Sequence, residues 1–400
     1  MMRSIALGTA AVAALTGTAY AQETIDVTLG VLNDRSGTYA DLSGEGSVIA
    51  ARMAVEDFNA EEKGLNVEIL SADHQNKPDV GSNIARQWYE QEGVDAILDV
   101  PTSSVALAVA DISNQMGGVL LNSGAGSTEL TQGQCAPTTI HWTYDTAALA
   151  KGTGQAITEA GADKWYFLTA DYAFGHSLEE NTMNVVEEAG GEVVGSVRHP
   201  FPATDFSSFL LQAQASGADV IGLANAGGDT VNAIKQASEF GITQSGQSLA
   251  ALLMFISDVH ALSPETAQGL QLTEAFYWDQ NDETREWSSR FEERHNAKPT
   301  MVHAGVYSAA MHYLRAVEAV GSTNNEEVVA HMKANSFDDP LFGEGYVRAD
   351  GRVIHDMYLF EVKAPADSEG EWDLYEQKAV IAGEEAFLPM IDECDFSSEG

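Results

Sequence analysis

The sequence of 400 residues is short of positive charge, of cysteine and of long apolar runs. Lysine and arginine total 20 against 60 aspartates and glutamates, so the formal charge is −40. A binder of nucleic acid or of an acidic membrane displaces counterions with clustered cations, and this composition supplies no such surplus. Neither partner is expected. Beyond the amino-terminal segment, no run of about eighteen uninterrupted apolar residues marks a spanning helix. Acidity does not imply disorder here: hydrophobic residues make up 44% of the chain, with 15 Phe, 12 Tyr and 6 Trp, enough apolar surface for sizeable cores. At about 150 residues per domain, two domains are the starting expectation.

Motifs for catalysis are also missing. There is no His-Glu-x-x-His helix for zinc, no Gly-x-Ser-x-Gly elbow and no phosphate loop ending in Gly-Lys-Ser/Thr. Gly44-Glu45-Gly46 runs into Ile49 where a dinucleotide fingerprint needs its third glycine. Ten histidines are scattered from His74 to His355 without metal-ligand spacing. In so acidic a chain a chance pair of carboxylates says little about acid/base chemistry. The reading is a non-enzymatic protein with no metal or cofactor site.

Residues 1–21 have the layout of a secretory signal peptide: Arg3, an apolar stretch from Ile5 to Leu15, then small residues ending Ala19-Tyr20-Ala21. Cleavage is expected before Gln22, with release into the periplasm. A membrane anchor would need about 20 apolar residues, more than this stretch offers. In an oxidising compartment two cysteines can pair. Cys135 and Cys394 are therefore expected to form a disulfide that pins the carboxy-terminal tail to the first lobe.

Apolar periodicity then alternates between the two regular spacings. Ile25, Val27, Leu29 and Val31 alternate as a strand ending at Asn33; Val48, Ala51, Val55 and Phe58 step by three and four along one helical face. The alternation recurs with Leu65 to Ile69, the stripe Val80, Ile84, Trp88, then Val94 to Val100, the stripe Val105, Val109, Ile112, and Val119 to Leu121. After Tyr144 a second series begins: strands at Trp165–Thr169, Glu192–Val197, Val220–Ala224 and Leu249–Phe255 alternate with helices at Ser177–Ala189, Phe206–Ala215 and Asp229–Phe240. Two long helices, Glu283–His295 and Val302–Val320, return to the first lobe, and strands at Val353–Val362 and Trp372–Ile381 follow. Such βα series favour parallel sheets covered by helices on both faces, with ligands at the carboxyl ends of the strands. The fold class is α/β, with lobe 1 at 22–143 plus 273–345, lobe 2 at 144–272 plus 346–385, and a tail at 386–400.

The candidate site lies in the polar, small-residue turns that follow these strands. They are Asn33 to Tyr39 with Arg35, Pro101-Thr102-Ser103-Ser104, and Asn122 to Thr128 with Gly124-Ala125-Gly126. Ser103 or Ser104 opens a helix, so either serves as a plain cap. A helix start with free N–H groups facing a glycine-rich turn is also a ready carboxylate site. Arg35 either forks onto a ligand carboxylate or pairs with a neighbouring acid. In the second lobe, Tyr172 and Phe174 stack on a ligand or pack as loop aromatics. Asp258 accepts from a ligand ammonium or hydroxyl, or caps a helix.

Val31 to Tyr39 with Ser36-Gly37, Asp99 to Ile112 with Ser103, Leu121 to Thr131 ending Thr128-Glu129-Leu130-Thr131, Asp171 to Gly175 and Val302 to Val320 together resemble one family. It is the type I periplasmic solute-binding proteins of ABC importers, in the leucine/isoleucine/valine-binding branch, and the likeness spans nearly the whole chain after residue 21. The resemblance implies two doubly wound α/β lobes joined by three crossings, an interlobe cleft that closes by hinge motion, and delivery of the ligand to an inner-membrane permease and its ATPase. A monomer is expected. The resemblance also implies that Ser103 and the backbone at Gly124 and Gly126 hold a ligand carboxylate. Amino-acid binders of the family typically carry Thr where this chain has Gly126, and an acid for the ammonium falls near Asp258. Relatives that take keto acids or aromatic carboxylates would suit the set Arg35, Tyr39, Tyr172 and Phe174, so amino acid, keto acid and aromatic acid all stay open. The alternative is a ligand-sensing module of the same fold that reports to a regulator.

Overall fold

Strands β1 (Ile25–Asn33), β2 (Leu65–Asp73), β3 (Ala96–Asp99), β4 (Val119–Asn122) and β5 (Thr139–His141) pair in parallel in the order β2-β1-β3-β4-β5. This comes from a computed structural model that describes Thr24 to Ser398; the segment read as a signal peptide lies outside the described residues. Successive side chains of a strand point to opposite faces, and here both faces are covered. Leu98 and Leu121 join Met53, Ala54 and Val306 in one core, whereas Ile97 and Leu120 join Trp88, Val105 and Val109 in another.

The helix Met301–Val320 belongs to the first of these cores, as its sequence position suggested, and is apolar nearly all round because neighbours cover most of it. Thr300 begins it by accepting from the His303 N–H, and Gly321, at φ 78°, ends it in the left-handed conformation.

The second lobe repeats the plan with β6 (Lys164–Ala170), β7 (Glu192–His199), β8 (Val220–Ala224) and β9 (Ser248–Ala251), parallel in the order β7-β6-β8-β9. β10 (Gln271–Glu274) precedes a small antiparallel group, β11 (Phe337–Asp339), β12 (Gly343–Val347) and β13 (Val353–Ile354). β14 (Met357–Val362) and β15 (Tyr375–Ile381) then join β10 in an antiparallel sheet whose Leu272, Phe360 and Tyr375 share the second lobe's core. The chain thus crosses between lobes after β5, after β10 and after β13.

Arg352 ties two of the crossings together. It is fully buried, and its guanidinium donates to the carbonyls of Trp142 (2.5 Å), Tyr144 (3.1 Å) and Val353 (3.0 Å), with Asp145 at 3.8 Å and the Phe387 ring at 4.3 Å. Burial pushes its pKa down to about 10, while Asp145 works the other way, so it stays charged at neutral pH.

Three readings from periodicity change. The run Leu249–Phe255 is strand only to Ala251; Leu252 to Phe255 turn into the cleft. Val353–Val362 breaks at His355-Asp356, which is the third crossing. The helix Asn325–Ala334, started by Asn324 accepting from Glu327 N–H at 3.2 Å, has only a short apolar face and gave no clear stripe. Cys135 and Cys394 do form the disulfide, across 259 positions, with Cα atoms 5.9 Å apart.

Candidate functional site

On the first lobe the site is shaped by two buried carboxylates. Asp34 accepts from the N–H groups of Gly37 (2.7 Å) and Tyr39 (2.9 Å) and from Asn76 Nδ2 (2.6 Å), which folds the turn after β1 around itself. Asp99 ends β3 at φ 79° and the β-branched Val100 follows at φ 55°, both in the left-handed region that such residues avoid. The Asp99 carboxylate holds this turn by accepting from Ser43 Oγ (2.6 Å) and Asn33 Nδ2 (3.1 Å). Burial raises its pKa to about 6, against the pull of those hydrogen bonds.

Between the lobes lies a narrow cavity lined by Tyr39, Leu42, Pro101, Gly124 and Tyr144 from one side and Tyr172, Phe174, Ala226, Leu253 and Phe255 from the other. No aspartate, glutamate, lysine or arginine is among these residues. The Tyr144 hydroxyl donates to Gly124 O at 2.5 Å, and its ring meets Phe255 edge-on at 6.3 Å. Tyr172 stacks on Phe201 at 4.2 Å, and Tyr39 lies 5.3 Å from the same ring. The hydroxyls of Tyr39 and Tyr172 touch across the cleft. Burial, reinforced by the neighbouring Tyr172 and by Asp229, raises the Tyr39 pKa well above its ordinary value, so it keeps its proton and can donate.

Direct bonds between the lobes close the rim. Gly228 N–H donates to Thr38 O at 3.2 Å, and Thr38 Oγ1 to Asp229 at 3.5 Å. Gly227, at φ 57°, comes so near that a Cβ there would sit 2.6 Å from Thr38 O, so only glycine permits this approach. Asp229 is buried and accepts from Ala203 N–H at 3.1 Å; burial lifts its pKa to about 7 in spite of these hydrogen bonds.

Of the residues singled out in the sequence, Tyr39, Gly124, Tyr172 and Phe174 meet in this cavity. Ser103 is buried just behind it, accepting from Ser127 N–H at 3.3 Å, and Ser104 is partly exposed on the same helix. Ala125 spends its carbonyl on Asn122 and His141 (2.8 and 2.7 Å). Gly124 N–H already donates to Asp99 O at 3.3 Å. A Cβ on Gly126 would fall 2.9 Å from the Tyr144 ring and 3.2 Å from Phe174, so the space that a threonine side chain would take holds aromatic walls.

Two other residues lie off the cavity. Arg35 pairs with Glu45, and Asp258 accepts from Phe255 N–H at 3.0 Å at the start of the helix Ile256–Leu262. These are the neighbouring-acid and helix-cap alternatives of the sequence reading. Burial, with Asp41 adding to it, raises the Asp258 pKa to about 7 against the Phe255 hydrogen bond. Sequence reasoning passed over Tyr144, Phe201 and Phe255. Tyr144 follows the last strand of the first sheet and Phe255 is the last residue of a run read as strand, so strand ends were the available signal; Phe201 gave none.

The chain matches the profile of the periplasmic binding proteins over residues 26–370. A periplasmic binding protein from Burkholderia mallei is 48% identical, with a TM-score of 0.90 over 93% of this chain and 98% of its own. A branched chain amino acid ABC transporter periplasmic ligand-binding protein from Burkholderia xenovorans LB400 is 38% identical, with a TM-score of 0.81 over 91% and 97%. The Leu/Ile/Val-binding protein homolog 6 of Brucella melitensis is 25% identical over 92% of this chain and 94% of its own. A solute-binding protein of an R. palustris ABC transporter, solved with benzoate, is 23% identical with a TM-score of 0.79 over 90% and 97%, a likeness of fold. With a family profile spanning most of the chain and two lobes closing on one cavity, the chain belongs to the periplasmic binding protein family.

Proposed function

We propose that this protein is the substrate-binding component of an ABC importer, exported by a signal peptide at 1–21, and that its cleft takes a compact carboxylate without an ammonium group. The lobes divide at 22–143 plus 275–355 and 144–274 plus 356–385, so the third boundary falls about ten residues later than the 345/346 division read from the sequence. The observation that carries the ligand class is the cavity wall, where five of ten residues are aromatic and none is charged. A buried ammonium needs a carboxylate partner, and a buried charge left without one costs several kcal/mol. A carboxylate needs only donors, and the tyrosine hydroxyls at 39 and 172 with the helix start at Ser103 are candidates. The narrow gap between aromatic walls favours a flat acid of the benzoate or short keto-acid kind. The benzoate-bound relative supports the same choice, while the names of the Brucella relatives favour leucine, isoleucine or valine.

In this reading, ligand binding stabilises the closed arrangement by filling the aromatic cavity, and the permease with its ATPase takes up the closed form. The test is thermal unfolding of protein refolded from denaturant to strip bound ligand, against benzoate, 4-hydroxybenzoate, 4-methyl-2-oxopentanoate, leucine and valine. A ligand at 100 times its Kd stabilises by about 2.7 kcal/mol. Stabilisation by the acids without an ammonium is the expected result. Stabilisation by leucine or valine alone would sink the ligand class while leaving the transport role, and no response to either set would sink the carboxylate reading itself.

A further inference from the structure

Away from the cleft, the first lobe carries a second concavity of about 300 Å³, bounded by the helices Met301–Val320 and Asn325–Ala334 and by β11 and β12. Phe337 is half-buried on its floor, with His312 and the fully buried Trp142 packed behind it. Trp142, His312 and Phe337 lie against one another, with ring centroids 5.4 Å apart for Trp142 and His312, 5.6 Å for Trp142 and Phe337, and 4.4 Å for His312 and Phe337. A buried hydrogen-bond chain fixes these rings: Trp142 Nε1 donates to Ser308 Oγ (3.0 Å), Ser308 donates to Asp339 (2.7 Å), and His312 Nε2 lies 3.1 Å from the same carboxylate oxygen. Leu341 and Phe342 N–H groups complete the Asp339 shell at 2.8 and 3.1 Å.

The rim is basic. Arg315 stands three residues after His312 on the same helix face, and His331 comes from the last turn of the neighbouring helix. Arg315 is exposed and has no ion pair or hydrogen bond among the described residues, in a chain where acids outnumber bases three to one. A solvated helix surface accounts for one such arginine. It does not account for Arg315, His312 and His331 converging on one concavity with a pre-stacked floor, where only Asp338 contributes a rim carboxylate.

We propose that this concavity is a second binding site, for a small flat organic anion with two acid groups, whose charges meet Arg315 and His331 and whose face lies on the Phe337 ring of the floor. The guanidinium offers two parallel donors to an oxyanion, and Phe337, held in place by the His312 and Trp142 rings behind it, offers apolar area already ordered before binding. Trp142 behind the floor is also part of the first crossing, because its carbonyl accepts from Arg352. An occupant would thus press on the segment that joins the lobes.

The probe is benzene-1,3-disulfonate, a flat dianion that does not titrate, added at low ionic strength while the imidazole C–H resonances of His312 and His331 are followed by NMR. Saturable movement of both resonances is expected, at least tenfold weaker in Arg315→Gln and in His331→Gln (there followed at His312), and unchanged in the cleft variant Phe174→Ala. Arg315 is exposed, so its substitution leaves the packing intact. Absence of saturable movement, or equal affinity in Arg315→Gln, overturns the proposal. So does movement that is lost in Phe174→Ala but kept in Arg315→Gln, which would put the probe in the cleft. That last outcome would show that the cleft admits a flat anion; whether the cleft binds a carboxylate is decided separately by the thermal test.

Discussion

On the first-lobe wall of the cleft the shape is set by backbone and by buried carboxylates beneath it, Asp34 gathering the N–H groups of its own turn and Asp99 holding a left-handed pair of residues in place. On the second-lobe wall the shape is set by rings, Tyr172 stacked on Phe201 with Phe174 and Phe255 beside them. The difference assigns labour. A wall fixed by short hydrogen bonds can present polar groups at constant positions, whereas a wall of rings excludes water when it swings in and makes each remaining hydrogen bond count for more. For the carboxylate ligand proposed above, this arrangement would give specificity for the charged end to the first lobe and for body shape to the second.

Both walls depend on the crossings that bring them together, so the largest expected effect lies there. Arg352→Met removes the donors of the Trp142, Tyr144 and Val353 carbonyls and leaves Asp145 buried beside no cation. Breaking a buried pair from one side typically costs about 3–5 kcal/mol. Denaturant unfolding should show a loss of that size. A loss under about 1 kcal/mol would mean that the two lobes hold their geometry without this clamp.

The next effect tests whether aromatic walls have displaced a hydroxyl at Gly126. Gly126→Thr puts a Cβ 2.9 Å from Tyr144 and 3.2 Å from Phe174. Overpacking of this kind costs about 1–3 kcal/mol, which should appear as a lower Tm and as weaker binding of any planar acid. If the variant instead gains affinity for leucine with no loss of stability, the ring wall is not what sets the ligand class.

The same contrast explains how much of the molecule could be read beforehand. The βα series, the return of Met301–Val320 to the first lobe and the Cys135–Cys394 pair were legible because each rests on spacing or on compartment. The first-lobe wall was legible in part: the polar turns after strands pointed to Tyr39 and Gly124, while Leu42 and Tyr144 were passed over and Arg35 lies off the cavity. The second wall was only half legible. Tyr172 and Phe174 follow a strand and could be named, but Phe255 was absorbed into a run read as strand, and Phe201 reaches the cleft through packing that no local pattern encodes. Asp258 shows the limit most clearly: an acid after a strand suits a ligand ammonium and a helix cap equally, and only the position of Phe255 N–H decides.

A smaller effect contrasts the carboxylates behind the two walls. Asp229 on the second lobe has its pKa raised to about 7 by burial, from an ordinary value of about 3.9. The folded state then binds more protons than the unfolded state between those values, so this group's contribution to stability is full below about pH 3.9, falls as pH rises and is exhausted above about pH 7. Asp99 and Asp258, raised to about 6 and about 7, act in the same direction, so the whole-protein slope is composite. The difference between wild type and Asp229→Asn isolates one group. It should flatten the stability profile between pH 4 and 7 by at most about 1.4 kcal/mol per pH unit. An unchanged slope would mean that Asp229 is hydrated and that the rim at Thr38 is open in solution.

The smallest effect falls where the walls touch. Tyr172→Phe keeps the ring on Phe201 and removes the hydroxyl that meets Tyr39 across the cleft. A hydrogen bond of this kind contributes about 0.5–1.5 kcal/mol, so calorimetric titration with the ligand found by the thermal test should show affinity reduced roughly two- to tenfold. Tyr39→Phe removes the other half of the same contact. If the hydroxyls act only on each other, the double substitution costs no more than either single one, because the second change removes nothing further. If each hydroxyl separately contacts the ligand, the losses add. Additive losses would move one donor from the closing contact to the ligand and make the second-lobe wall, like the first, a reader of charge.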